Sequence, residues 1–160
     1  MSVIEINVSA APRGDSYTSG VDFKFASASK YLKDEEGNLE FPPGSGSATL
    51  VFRLVTRTVN WPKGPHEISF LVSDAADGHE TLWVWHEKDA PSRYHGQVFT
   101  GFALSPDHAT NKRHMVLAVT NANETAGTYH YKLDVGVITK DGIRRISHDP
   151  RIINGGGGMK

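Results

Sequence analysis

The sequence predicts an all-β fold, an antiparallel sandwich or barrel built from roughly nine short strands. Two observations support this prediction. Apolar residues recur at every second position in many short segments, as they do in strands with one buried face. Clusters rich in Gly, Pro, Asn and Asp separate these segments, and no segment has a convincing helical periodicity.

The strand-like segments follow one another along the whole chain. In order, their stripes are Ile4, Ile6 and Val8; Val21, Phe23 and Phe25; Leu50, Phe52 and Leu54; Ile68, Phe70 and Val72; the run 81–86; Val98, Phe102 and Leu104; Met115, Leu117 and Val119; Tyr129, Tyr131, Leu133, Val135 and Val137; and the residues around Ile143. Val51 and Val55 lie at the outward positions of the third stripe. We therefore expect the span 48–59 to be buried on both faces or covered by a partner.

The C-terminal part contains the strongest turn signals. Asp141-Gly142 lies between two strand-like runs, which predicts a hairpin with a type I′ turn. Pro150 lacks an N–H and restricts Asp149, so a final strand should be interrupted there or confined to an edge. Residues 1–154 are expected to form a single domain. The Gly-rich residues 155–160 are expected to form a flexible tail.

Composition excludes several classes of function. The net charge of −1 argues against a generic nucleic-acid binder, which needs a basic surplus. The absence of cysteine excludes disulfides and thiolate chemistry. The N-terminus lacks the features of a secretory signal, and no apolar run is long enough to span a membrane. We therefore expect a cytoplasmic protein with neither nucleic acid nor membrane as a partner.

The last third of the chain resembles a known family. The stretch NANETAGTYHYKLDVGVITKDGIRRISHDPRIING combines a small-residue turn, an aromatic alternating strand, an Asp-Gly hairpin and an Asp-Pro-x-Ile ending. This combination resembles the DP-EP family of small bacterial proteins and, more loosely, the AidA/PixA inclusion-body proteins. The resemblance implies an immunoglobulin-like (Greek-key) sandwich, here of roughly eight to nine strands. It implies no activity and no site residues.

The approach to the alternating strand also has a direct physical interpretation. Gly127 allows a tight bend, and Tyr129 then follows as in the tyrosine corner of sandwich folds. In that motif the tyrosine hydroxyl bonds back to the preceding loop. Tyr131 continues the same inward stripe. We interpret these residues, with Asp141, Gly142, Asp149 and Pro150, as structural.

Three tryptophans allow two interpretations. Trp83 and Trp85 alternate with Leu82, Val84 and His86, which favours a central strand covered on both sides. On an open sheet face, the two indoles would instead be spaced for stacking on successive sugar rings. Trp61 lies in a Pro- and Gly-rich stretch and is expected to be exposed. A carbohydrate-binding surface of Trp61, Trp83 and Trp85 is therefore an alternative function.

The chain shows no recognisable catalytic or cofactor motif. It has no G-x-S-x-G sequence, no phosphate-binding loop and no H-E-x-x-H sequence. Its eight histidines are scattered, and only His86 and His95, with Glu87, flank one loop closely enough to suggest a metal-assisted enzyme. We favour scattered surface positions for these histidines. No catalytic residue and no cofactor is predicted.

The sequence therefore favours a non-enzymatic binding or assembly module. Its ligand, a protein or a carbohydrate, cannot be identified from the residues. Strands at the edges of sheets have unpaired backbone N–H and C=O groups, so association of copies through edge strands is a further expectation.

Overall fold

The computed structural model describes residues 2–71, 82–88, 98–105, 114–148 and 150–157. These residues form twelve strands and one 3₁₀ turn, Tyr17–Ser19, which confirms the all-β prediction. The strands are β1 (Ser2–Pro12), β2 (Val21–Ala26), β3 (Leu39–Phe41), β4 (Ala48–Leu54), β5 (Thr58–Trp61), β6 (Gly64–Phe70), β7 (Leu82–His86), β8 (Phe99–Ser105), β9 (Val116–Asn121), β10 (Gly127–Thr139), β11 (Gly142–His148) and β12 (Arg151–Asn154). The predicted stripe residue Val72 lies outside the described residues.

The first sheet has the order β2-β1-β4-β9-β8. Its central pair, β1 and β4, is parallel, with Ile4 opposite Leu50 and Ile6 opposite Phe52. The other pairs are antiparallel. A register shift between Thr100 and Ala103 interrupts β8, so Phe99 rather than Val98 begins its buried positions.

The second sheet is built around β10. One side of β10 pairs with β12 and then β11, while the other side pairs with β7 and then β6. At the outer side of β12, β3 adds a short parallel strand. The prediction of antiparallel sheets is therefore wrong, because both sheets are mixed. Side-chain alternation is the same in parallel and antiparallel strands, so the sequence pattern could not distinguish them.

One hydrophobic cluster joins the inward faces of the two sheets. Phe52 of β4 lies 5.7 Å from Tyr131 of β10, measured between ring centroids, and Phe99 of β8 lies 5.1 Å from Tyr129. A buried amide pair adds a polar link: Asn121 and Asn154 exchange side-chain hydrogen bonds of 2.8 and 2.9 Å. Because Asn121 ends β9 and Asn154 ends β12, this pair joins the two sheets.

The span 48–59 does not form the single covered strand that we expected. β4 ends at Leu54 in the first sheet, and β5 begins at Thr58 in the second. Val51 is half-buried, but Val55 follows the end of β4 and is 54% exposed. The outward valines therefore do not form one apolar surface.

Residues 155–157 are packed against the fold. The N–H of Gly155 donates to the carbonyl of Phe41 at 2.7 Å, and the N–H of Gly157 donates to the carbonyl of Glu124 at 2.9 Å. Gly156 is buried and donates to the Asn123 side chain at 3.1 Å. Residues 158–160 lie outside the described residues, and the flexible tail stays a prediction.

Candidate functional site

The three tryptophans do not form one surface. Trp61 ends β5 and is only 3% exposed, and its Nε1 donates to the carbonyl of Gly20 at 3.0 Å. The expectation of an exposed loop indole is therefore wrong. The Pro-Lys turn after Trp61 forms a tight hairpin between β5 and β6, which brings the indole into the core.

Trp83 and Trp85 lie on the outer face of the second sheet. Their partners on β10 are Lys132 and His130, which alternate with the inward residues Tyr129, Tyr131 and Leu133. Trp85 is nevertheless buried, with only 6% of its surface exposed, and it stacks on His130 with ring centroids 5.6 Å apart. The Trp83 ring lies 4.4 Å from the Lys132 ammonium. Both indoles have partners within the chain, and carbohydrate binding by them stays a prediction.

A buried carboxylate lies beside these indoles on the outer face. Asp134 is 0% exposed and accepts a hydrogen bond of 2.5 Å from the Ser147 hydroxyl. Lys132 and Arg145 approach its two oxygens at 3.8 and 3.4 Å. Because one hydroxyl and two cations surround the carboxylate, we interpret this cluster as a polar link between β10 and β11.

The proposed metal site cannot be assembled from the described residues. His86 packs edge-on against Tyr129 at 5.4 Å, and its Nδ1 accepts a hydrogen bond from the N–H of Lys88. Glu87 follows β7 and is exposed, whereas His95 lies outside the described residues. Within the described part of the chain, no three His, Asp or Glu side chains come together as metal ligands.

Of the residues interpreted as structural, those that the structure describes lie at strand ends, in turns and in the core. Gly127 begins β10, and a Cβ at this position would come within 3.2 Å of the Tyr129 ring. Tyr131 is fully buried, and its hydroxyl donates to the carbonyl of Gly37. Sequence reasoning missed this bond, because Gly37 lies in a loop 94 residues away.

The predicted hairpin forms, but with a different turn. Thr139 pairs with Gly142, so Lys140 and Asp141 occupy the turn, and neither has a positive φ. The type I′ assignment to Asp141-Gly142 is therefore wrong. Gly142 has a φ of +123° at the start of β11, and Thr139 Oγ1 bonds to its carbonyl at 2.7 Å.

Pro150 lies between β11 and β12. It is buried, and its carbonyl accepts a hydrogen bond of 3.0 Å from the N–H of Tyr131. Asp149 lies outside the described residues.

The first half of β1 has a side on which no described strand pairs with it. β2 pairs with β1 only from Asn7 onward, so within the described residues no strand pairs with Ser2–Ile6 on that side. The opposite side of this half pairs with β4 along its whole length. We call residues 2–6 of β1 the open edge.

Hydrogen bonds along β1 show which backbone groups point to each side. The N–H and carbonyl groups of even-numbered residues point to the β4 side, since the carbonyl of Val8 accepts a hydrogen bond from the N–H of Val55 and the N–H of Ala10 donates one to Thr56 Oγ1. The N–H and carbonyl groups of odd-numbered residues point to the opposite side, where the carbonyl of Glu5 accepts a hydrogen bond of 2.5 Å from Ser27 Oγ. The N–H and carbonyl of Val3 and the N–H of Glu5 therefore point to the open edge.

A groove of about 790 Å³ runs along the open edge. One wall is β1, and the other is the segment 26–31, which starts at the last residue of β2. Val3 lies in the groove wall and is 65% exposed, although apolar. Within the described part of the chain, the groove therefore combines main-chain groups without a hydrogen-bond partner with exposed apolar surface.

Other edges of the two sheets carry features that hinder strand addition. β3 and β5 have only three and four residues, and β8 contains its register shift. At β2, the N–H of Phe25 already donates to the carbonyl of Glu35 at 2.7 Å. The exposed strand β11 carries Arg144 and Arg145. Compared with these five edges, the open edge of β1 combines five consecutive strand residues with three main-chain groups that point away from β4.

Comparisons with known proteins give a distant structural likeness. No protein-family model matches the chain, and no curated protein sequence matches it. The chain is similar to the crystal structure of the PixA inclusion body protein from Burkholderia cenocepacia, with 9% identity and a TM-score of 0.39, over 96% of this chain and 97% of that one. That neighbour bears the name of the family that the Asp-Pro-x-Ile ending resembles more loosely, while the DP-EP resemblance stays a prediction. None of the described helical residues forms a segment long and apolar enough to cross a membrane.

Proposed function

We propose that this protein is a non-enzymatic binding module that accepts an extended polypeptide segment along the open edge of β1. The observation that carries the proposal is the break in pairing at Asn7, where β2 ends and leaves Ser2–Ile6 paired on one side only. An added strand would pair with the N–H and carbonyl of Val3 and with the N–H of Glu5, and main-chain bonds of this kind supply affinity in strand addition.

The dimensions of the groove favour a free, extended segment. Five strand residues span roughly 17 Å, and an added strand lies about 4.8 Å from its neighbour. The segment 26–31 bounds the far side of the groove. A strand inside another sheet already has a neighbouring strand, which would have to occupy the place of the segment 26–31. A tail or an extended loop has no such neighbour. Assembly through this edge therefore requires such a segment from a partner or from another copy.

The inward and outward positions of β1 determine which side chains of a bound segment face inward and which face outward. Ile4 and Ile6 point into the core, while Val3 and Glu5 point outward. Residues in an added strand alternate in the same way, and directly opposite residues share a face. We therefore expect a ligand with apolar residues at alternate positions.

We also propose that the two sheets form one immunoglobulin-like sandwich domain. The shared hydrophobic cluster and the Asn121–Asn154 pair support this proposal. A single cooperative unfolding transition, with coincident fluorescence and dichroism midpoints, is the expected result.

The test compares Val3→Pro with Val3→Thr in the full chain. The probe is a panel of fluorescent eight-residue peptides with alternating apolar and polar residues, and binding is measured by anisotropy. Proline removes the N–H that faces the groove without removing a bond to β4, whereas threonine keeps it. We expect binding to weaken about tenfold in Val3→Pro and to be unchanged in Val3→Thr.

Amide exchange supplies a second measurement on the same samples. The amide of Glu5 should exchange rapidly in the free protein and become protected when peptide is added. Binding that is equal in both variants, or the absence of both binding and protection across the panel, would overturn the proposal. Dichroism of each variant checks that the fold is intact.

A further inference from the structure

The groove contains a cation that has no acidic partner among the described residues. Lys30 is exposed in the wall formed by 26–31. Neighbouring lysines are paired: Lys24 lies 3.4 Å from Glu35, and Lys33 lies 4.0 Å from Glu40. No ion pair of the described chain includes Lys30, and its Nζ lies 5.9 Å from the Tyr31 ring centroid, near the outer limit of a cation–π contact.

The acidic side chain in the groove, Glu5, already has a basic partner. Glu5 lies on β1, and its carboxylate is 3.2 Å from Arg53 of β4, which is outside the groove wall. Among the described residues that line the groove, Lys30 is therefore the charged side chain without a partner of opposite charge. A ligand with a carboxylate would complement it, whereas a basic ligand would be repelled.

We infer that the segment bound at the open edge is acidic: an extended peptide in which at least one outward position is Glu or Asp and pairs with Lys30. This inference rests on the proposed function, because it specifies the ligand of the same edge. An acid directly opposite Glu5 would face a like charge, so the carboxylate should be favoured at one outward position and not at all of them.

The test uses three peptides that differ at a single outward position, with Glu, Gln or Lys in a constant alternating apolar background. Both ends are blocked, so the side chain carries the only difference in charge. Affinities for the full-length protein are measured by anisotropy at low and at high salt. The protein variants are Lys30→Glu and, as a control of equal charge change outside the groove, Lys63→Glu in the β5–β6 turn.

We expect the Glu peptide to bind about threefold more tightly than the Gln peptide at low salt, with the difference reduced at high salt. Lys30→Glu should reverse the order so that the Lys peptide binds best, and Lys63→Glu should keep the original order. Equal binding of all three peptides, or an order that Lys30→Glu leaves unchanged, would overturn the inference while the edge remains a binding site. A failure of the proposed function is different, since no peptide would then bind in a manner that depends on the N–H of Val3.

Discussion

At the scale of single residues, Tyr131 fixes a distant loop to the core. Its side chain is fully buried, and its hydroxyl donates to the carbonyl of Gly37. Gly37 has a φ of +95°, and a Cβ there would lie 2.8 Å from the hydroxyl, so the contact requires glycine. Burial raises the pKa of Tyr131 well above its ordinary value, and the negative charge of Asp34 raises it further.

Asp34 itself is held in the charged form. Its slight burial raises the pKa, but hydrogen bonds from the Asn38 side chain and from the N–H groups of Asn38, Glu36 and Gly37 lower it more, so the pKa is below its ordinary value. The charge that acts on Tyr131 is therefore present at neutral pH.

Tyr131→Phe should lower the free energy of unfolding by about 1–3 kcal/mol at pH 8, because the buried Gly37 carbonyl loses its donor. The pKa of Tyr131 is raised in the folded protein, so its contribution to stability is complete below the ordinary tyrosine pKa of about 10 and is lost as pH rises above it. The wild type should therefore lose stability more steeply than the variant between about pH 10 and 11. Urea unfolding at a series of pH values measures both effects, and parallel pH profiles would contradict this assignment.

The sequence predicted the inward position of Tyr131 from the two-residue period of its strand. It could not predict the hydroxyl's partner, because side-chain periodicity contains no information about a carbonyl 94 residues away. For the same reason, the sequence predicted that edge strands could bind a partner but did not indicate which strand has the open edge. Its location depends on where β2 stops pairing with β1.

At the scale of elements, β7 shows how one strand can be apolar on both faces. Leu82 and Val84 face the core, whereas Trp83 and Trp85 face the other side. The sequence allowed two interpretations of this strand, one with its side chains in the core and one with aromatic side chains on an outer face. Leu82 and Val84 fit the first, and the orientation of Trp83 and Trp85 fits the second. Trp61 belongs to neither, since it ends β5 in the core.

Three single-tryptophan proteins, each with the other two indoles replaced by Phe, test these positions. The protein that keeps Trp83 should be quenched most by iodide, because Trp83 is half-buried while Trp61 and Trp85 are buried. Its emission should also lie at the longest wavelength. Stronger quenching of the protein that keeps Trp61 would contradict the described position of β5.

The chain after β12 is packed too closely for any side chain at Gly155. A Cβ there would lie 2.3 Å from the nitrogen of Pro43 and 2.6 Å from the carbonyl oxygen of Phe41, which are backbone atoms. We expect Gly155→Ala to cost at least about 2 kcal/mol of unfolding free energy. Gly136→Ala is the matched control, since its Cβ would come closest to the exposed Ile143 side chain, at 2.6 Å, and its nearest backbone atom would be 3.9 Å away, so it should cost less than about 1 kcal/mol. Thermal unfolding of the two variants measures the difference, and equal midpoints would show that the segment after β12 is not packed as described.

The strands that sequence reasoning did not delimit are the short ones. β3, β5 and β12 contain only three or four residues, and two or three alternating positions do not establish a period. They form because longer strands offer them partners: β12 pairs with β10, and β3 then pairs with β12. Tertiary pairing, rather than local propensity, creates these elements.

At the scale of the whole molecule, β10 holds the second sheet together. It has partners on both sides, from β12 and β7 at its first half to β11 and β6 at its second. Amides of Tyr131, Leu133 and Val135 should therefore exchange with solvent only when the whole protein unfolds, while those at the open edge exchange much earlier. Native-state hydrogen exchange as a function of denaturant measures this order. Early exchange throughout β10 would contradict it.

The overall architecture was predicted at a coarse level only. Alternating stripes gave the all-β class and most of the inward residues, since burial on one face of a strand imposes that pattern. The parallel pairs β1–β4 and β3–β12 could not be derived, because strand direction depends on connections that cross from one sheet to the other.

The pairing of β3 with β12 also has a consequence for synthesis on the ribosome. The Arg151–Asn38 hydrogen bond beside this pair joins residues 113 positions apart. Residues 39–41 are translated long before 152–154, so the nascent chain must carry an unpaired strand until nearly all of the described fold has emerged. Pairing between such distant residues also slows folding, because the ends of a long loop must first be brought together. A chaperone that shields this segment during translation would therefore raise the yield of native protein.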